Sequence, residues 1–163
     1  MFEPQVLFTL AEIAVALAGF SAVVVLFKRR DGGEWATADA DRFHGMVLHA
    51  MAAVFFSLLP SMIDVFVARP DLVWRIASGL FALQILLHVS VVLRLASTTG
   101  QSRYFMVVGL LAAGLLALNG VGVGFEGEFG PYLIGVLWHV LQSATLFVWL
   151  IWIPQGQIRS DLD

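Results

Sequence analysis

The sequence predicts an all-α polytopic membrane protein, a bundle of five transmembrane helices with its N-terminus outside and its C-terminus in the cytoplasm. Three observations predict it. Of 163 residues, 60% are hydrophobic and only 13% are charged, whereas a soluble domain carries about 25% charged residues. The apolar residues fall into five runs of roughly twenty, long enough to cross about 30 Å of hydrocarbon at about 1.5 Å per residue. Lys and Arg are spread unevenly over the short connections, the bias that sets topology. The mean hydropathy is +0.88.

The first span is expected at residues 6–27. The preceding "MFEPQ" holds an acid and no base, while Lys28, Arg29 and Arg30 follow the run. That is the pattern of a retained helix inserted N-terminus outward, not of a cleaved signal. Ala14, Ala18 and Ala22, with Gly19 beside them, offer a small-residue packing face, and Thr9, Glu12, Ala16 and Gly19 form a stripe around an acid.

The second span, 46–68, contains "HAMAAVFFSLLPSMIDVFVA". Ala50, Ala53, Ser57, Ser61, Asp64 and Ala68 recur at helical spacing, so small and polar side chains share one stripe that should face protein or water. Pro60 lacks an N–H and frees the carbonyl of Phe56, which predicts a kink aiming Asp64 at a cavity. Upstream, Gly32 and Gly33 break the chain after the first helix. Thr37 is a cap candidate, with Asp39 and Asp41 in the first turn where the helix dipole favours negative charge. The second helix is therefore expected to begin near Ala38 and project beyond the bilayer, either solvated or as a docking knob.

The third span is expected at 76–93, with a start as early as Leu72. The fourth, at 105–124, carries Gly109, Gly114 and a terminal "GVGVG" in which Gly120 and Gly124 read as GxxxG; the fifth is expected at 132–153. Short connections make consecutive helices antiparallel neighbours in one domain. With the N-terminus outside, the inner segments hold Lys28, Arg29, Arg30, Arg42, Arg94, Arg103 and Arg159, and the outer ones only Arg69 and Arg75. Aromatic residues suited to the interfaces agree: Trp74, Phe125, Phe129 and Tyr132 outside, Tyr104, Trp149 and Trp152 inside.

Polar residues within the spans are the candidate functional groups, because an ionised side chain at mid-bilayer costs about 2.5–3.5 kcal/mol on insertion scales. Counting rise per residue, Glu12, Asp64, Asn119 and His139 fall roughly 6–10 Å below the outer boundary, with Gln142 one turn from His139. Their shared depth predicts an ion or proton pathway, with Glu126 and Glu128 enriching cations at its mouth. The alternative is that the acids are neutral or paired and knit helices together. Nearer the inner boundary, His49 lies about 4–5 Å deep and His88 about 7–8 Å, with Gln84 beside it. Two imidazoles at like depth suit a b-type haem if the rings face each other across the macrocycle; otherwise His49 is interfacial and His88 hydrogen-bonded. His44 is expected in solvent.

The absence of cysteine excludes disulfides and thiolate chemistry. A net charge of −3 without a basic block gives no support for nucleic-acid binding. There is no HExxH, GxSxG or phosphate-binding glycine loop, so no catalytic activity is expected. Three functions remain: a homo-oligomeric ion- or proton-permeable channel or transport protein, an accessory subunit of a larger membrane complex, or a haem-binding electron carrier. The segment "LAEIAVALAGFSAVVVLF" resembles the first helix of small bacterial polytopic integral membrane proteins in which an acid precedes an "ALAGF"-like core. The resemblance implies a bacterial inner membrane and recurrent positions for Glu12 and Gly19. It brings no activity with it.

Overall fold

The computed structural model describes residues 4–30, 37–95 and 100–152. These form five helices: α1 (Pro4–Arg30), α2 (Thr37–Asp64), α3 (Pro70–Leu95), α4 (Gly100–Val121) and α5 (Phe129–Trp152). All five are long and apolar enough to cross a membrane, and the protein is a multi-pass membrane protein with an all-helical fold. Most of the first connecting loop and the tail after Trp152 lie outside the described residues.

The helix ends depart from the hydropathy boundaries for local chemical reasons. α2 begins at Thr37, as the early-start reading expects, but stops at Asp64 rather than residue 68. The amides of Phe66 and Val67 then turn back onto the carbonyl of Ile63. α3 begins at Pro70, well before residue 76. Proline is favoured in a first helical turn because its missing N–H has no partner there anyway, and Asp71 pairs with Arg69 at 2.7 Å just ahead of it. Asp71 and Arg75 dilute the apolar signal of this turn, so hydropathy alone starts the helix late.

α4 ends at Val121, not at 124. Gly122 has φ 77° and its amide bonds the carbonyl of Leu118, as in a left-handed helix cap. Gly124, φ 75°, lies in the turn, so Gly120 and Gly124 do not form a GxxxG face. Of the two, it is Gly120 that makes a close approach: a methyl there would lie 3.2 Å from the amide nitrogen of Gly79 and 3.3 Å from the carbonyl oxygen of Arg75.

α5 is the centre of the bundle, touching all four other helices; α1 contacts only α2 and α5, and α4 only α3 and α5. Hydrogen bonds give the direction of the pairs. Ser143 donates to the carbonyl of Met46 and Tyr132 to that of Phe56, so α2 and α5 run antiparallel. In the half of the bundle holding the N-terminus of α1, the core is aromatic. Phe56 stacks on Phe81 at 3.9 Å and 5°, and Tyr132 meets both Phe81 and Trp74 at 5.5 Å. Pro60 is buried inside α2, and the carbonyl it frees on Phe56 is taken by the Tyr132 hydroxyl at 2.5 Å. Gly135 lets α5 approach this core, since a methyl there would fall 2.9 Å from Leu116 Cδ1 and Phe81 Cε1.

Helices in lipid associate through such close packing rather than through a hydrophobic force. A methyl on Gly79 meets nothing within 4 Å, whereas one on Gly120 meets backbone, which cannot rotate away. Gly120→Ala should therefore cost about 1 kcal/mol, and Gly79→Ala should leave stability unchanged apart from helix propensity. Unfolding titrations in mixed detergent–dodecyl sulfate micelles, followed by circular dichroism, compare the two; equal costs would contradict this contact.

Candidate functional site

Three histidines from three helices meet near the middle of the bundle. α2 contributes His49, α5 contributes His139, and α3 contributes His88 together with Gln84 one turn earlier on the same face. Antiparallel register brings them level: the α2–α5 pairing that joins Met46 to Ser143 and Phe56 to Tyr132 places His49 against His139. The two Nδ1 atoms lie 2.9 Å apart, and His139 Nε2 is 3.2 Å from Gln84 Oε1. The His88 ring meets the edge of His49 with centroids 5.0 Å apart and planes at 73°. His49 and His139 are buried.

This geometry orders the protons of the neutral cluster. Gln84 Oε1 only accepts, so His139 Nε2 carries the hydrogen and donates. The neutral His139 ring then has a bare Nδ1, which accepts from the Nδ1–H of His49. His49 is left with a bare Nε2. The tautomers here follow from the partners, given the amide orientation of Gln84. The arrangement is a directed hydrogen-bond chain, His49 to His139 to Gln84, in which moving one proton obliges the next ring to change tautomer.

The two sides of the cluster differ. Towards the N-terminal end of α5, His139 stacks on Phe81 at 5.3 Å and 18°, and the aromatic core lies beyond. Towards the other end, the three histidines border a cavity of about 170 Å³ between α3, α4 and α5, whose remaining walls are apolar apart from Gln142. Gln142 is buried, and its Oε1 has no hydrogen-bond partner. Among the described residues, no group of three or more His, Asp or Glu side chains is disposed to hold a metal ion.

The structure brings together residues that depth counting assigned to two separate layers. His139 and Gln142 from the expected outer layer share one cavity with His49 and His88 from the inner one. The reason is register: hydropathy placed the start of the α2 apolar segment at residue 46, although it begins at Ala40, and started α5 at 132 instead of Phe129. Each residue of such error displaces the estimated depth by about 1.5 Å. His49 and His88 are in mutual edge contact, with His49 Nδ1 committed to His139, so they do not flank a slot for a macrocycle.

The other predicted residues lie apart from the cluster. Asn119, fully buried, donates to Ser78 Oγ at 2.8 Å and to the carbonyl of Glu128 at 2.9 Å, and it accepts the Glu128 amide at 2.8 Å. It is a clasp between α3, α4 and the turn into α5. The side chains of Glu126 and Glu128 are exposed in that turn. Asp64 is exposed at the last residue of α2, so the expected aim into a cavity is not seen.

The two stripes turn opposite ways. Ala50, Ala53 and Ser57 of α2 are buried, but Thr9, Glu12, Ala16 and Gly19 of α1 all face outward. Sequence reading noted Gln84 only as a neighbour of His88 and missed the apolar walls contributed by Phe105 and Trp138. The available signal was the pair of same-face polar spacings, Gln84 with His88 and His139 with Gln142, on helices that must run parallel in a five-span bundle. No protein-family model, no curated protein and no solved structure matches the chain.

Proposed function

We propose that the protein handles protons within the membrane, as a proton-permeable or proton-coupled transport protein, with His49, His139 and His88 as its working groups. The observation that carries this reading is the 2.9 Å contact between His49 and His139 in the bundle interior, continued to Gln84. An imidazole can take a proton at one nitrogen and release it from the other. Hydrogen-bonded imidazoles form a relay, because each neutral ring carries one donor and one acceptor nitrogen. In the orientation read from Lys and Arg, the cavity faces the cytoplasmic half of a bacterial inner membrane. On the other side, the unpartnered hydroxyls of Ser57 and Ser61 rise along α2 towards Asp64, which supports a continuation of the path to the outer mouth.

Proteoliposomes loaded with a pH-sensitive dye test the reading. The wild-type protein should dissipate an imposed pH gradient faster than empty vesicles. His139→Phe keeps a ring on Phe81 while removing both nitrogens, and it should return the rate to that of empty vesicles with helicity unchanged. Wild-type flux equal to the empty control, or full flux in the variant, sinks the proposal.

A second reading, that the chain works within a larger assembly of its own copies or of other membrane subunits, is favoured by Glu12. Its carboxyl faces outward from a membrane-length helix, on a stripe of small residues, and contact with a neighbouring protein would relieve the cost of holding it in lipid. Mass measurement in mild detergent tests this: a monomer in both the wild type and Glu12→Leu argues against a homo-oligomer built on that face.

A further inference from the structure

We infer that the cavity beside the histidine cluster is a binding site for a hydroxylated aromatic ring of a membrane-soluble compound, the chemistry shared by phenol and hydroquinone headgroups. This goes beyond the proton reading and stands on the cavity alone.

The size selects a ring. The volume is about 170 Å³, and an engineered protein cavity of about 150 Å³ takes up benzene. The walls select an apolar, flat ligand: Ile85 and Val89 on α3, Met106 on α4, and the rings of Phe105 and Trp138 surround the space. Aromatic edges and a thioether are good partners for an aromatic face. Gly109, on α4, keeps that wall open. A methyl there would make only ordinary contacts, 3.7 Å from Trp138 Nε1 and 3.8 Å from Ile85 and Val89.

The polar groups select a hydroxyl. Gln142 Oε1 is an acceptor in a side chain only 6% exposed, and no protein donor reaches it. A buried acceptor left unmade is costly, and a turn of the Gln142 amide towards the cavity it lines would let a ligand O–H satisfy it. His88 borders the same space and its ring N–H is not used in the His49–His139–Gln84 chain, so the hydroxyl oxygen can in turn accept from it. A plain hydrocarbon would leave Gln142 unpaired, and a sugar or free phosphate would find too few polar groups. The rim residues Val92, Phe105, Met106 and Leu146 are partly exposed and apolar, so the approach is from the lipid and the ligand is lipid-soluble.

The experiment uses the full chain in detergent micelles under argon, with a singly prenylated hydroquinone as probe and its dimethyl ether as control. Binding is read by calorimetry and by quenching of tryptophan fluorescence. The hydroquinone should bind saturably, and the ether, which cannot donate, about tenfold or more weaker, the effect of about one lost hydrogen bond. Gln142→Leu should erase that preference, and Gly109→Leu, filling the space, should abolish saturable binding of both compounds. Absence of saturable binding to the wild type, or equal affinity for hydroquinone and ether, overturns the inference. Vesicle flux is measured separately, so binding without proton flux removes only the proton reading, and flux without binding removes only this one.

Discussion

Asn119→Leu should lower the unfolding free energy by about 2–3 kcal/mol, the largest loss expected from any single polar substitution in this bundle. Three hydrogen bonds converge on this side chain, two donated and one accepted, and each contributes about 1 kcal/mol net. Leucine matches the volume but leaves the amide of Glu128 and the hydroxyl of Ser78 without their partner. The Asn119 amide behaves as a piece of backbone, engaging both the N–H and the C=O of Glu128 as a ladder neighbour would. Asn119→Asp, as the neutral acid, retains the acceptor for the Glu128 N–H and one O–H donor in place of two N–H donors, so its cost should fall between wild type and leucine. Titration with dodecyl sulfate in mixed micelles gives the order. If aspartate and leucine prove equally costly, the accepted bond from Glu128 has no role. Because Phe129 opens α5 immediately after this clasp, the leucine variant should also reduce proton flux, through the height of His139.

Tyr132→Phe should cost about 1–2 kcal/mol, and the cost should nearly vanish in a Pro60→Ala background. Proline at 60 denies the carbonyl of Phe56 its helical donor, and no water is present in the hydrocarbon core to replace it. The Tyr132 hydroxyl fills that vacancy from the neighbouring helix. Removing the hydroxyl strands a buried carbonyl, at about 1–3 kcal/mol. Alanine at 60 restores an N–H four residues along, after which the tyrosine hydroxyl is redundant. A double-mutant cycle isolates the coupling. A Tyr132→Phe cost that is the same with proline or alanine at 60 would show that the hydroxyl contributes through something other than this carbonyl.

The pairing of Pro60 with Tyr132 shows how far local reasoning reaches. That Phe56 loses its helical donor follows from one residue. That a tyrosine on the last helix supplies the replacement follows from no local rule, because it depends on how α2 and α5 slide against each other. The same distinction separates the two stripes. Thr9–Glu12–Ala16–Gly19 and Ala50–Ala53–Ser57–Ser61 have like composition and like spacing, yet the first faces outward and the second is turned mainly inward. α2 is flanked by α1, α3 and α5, whereas α1 lies at the margin with contacts to α2 and α5 only.

By itself the sequence determined the class, the number of spans and their approximate limits. Partition into a bilayer depends on hydropathy summed over some twenty neighbours, a quantity that each segment carries alone, and capping residues such as Pro70 and Gly122 act within one turn. Only the tertiary structure decided that His49, His88 and His139 form one cluster, that Asn119 is a clasp, and that Glu12 faces away from the bundle. Those outcomes depend on register and rotation between helices, set by contacts such as Gly120 on Gly79 and Gly135 on Phe81. A shift of two residues between helices moves a side chain by about 3 Å, enough to make or break every hydrogen bond in the site while leaving the hydropathy of each span unchanged.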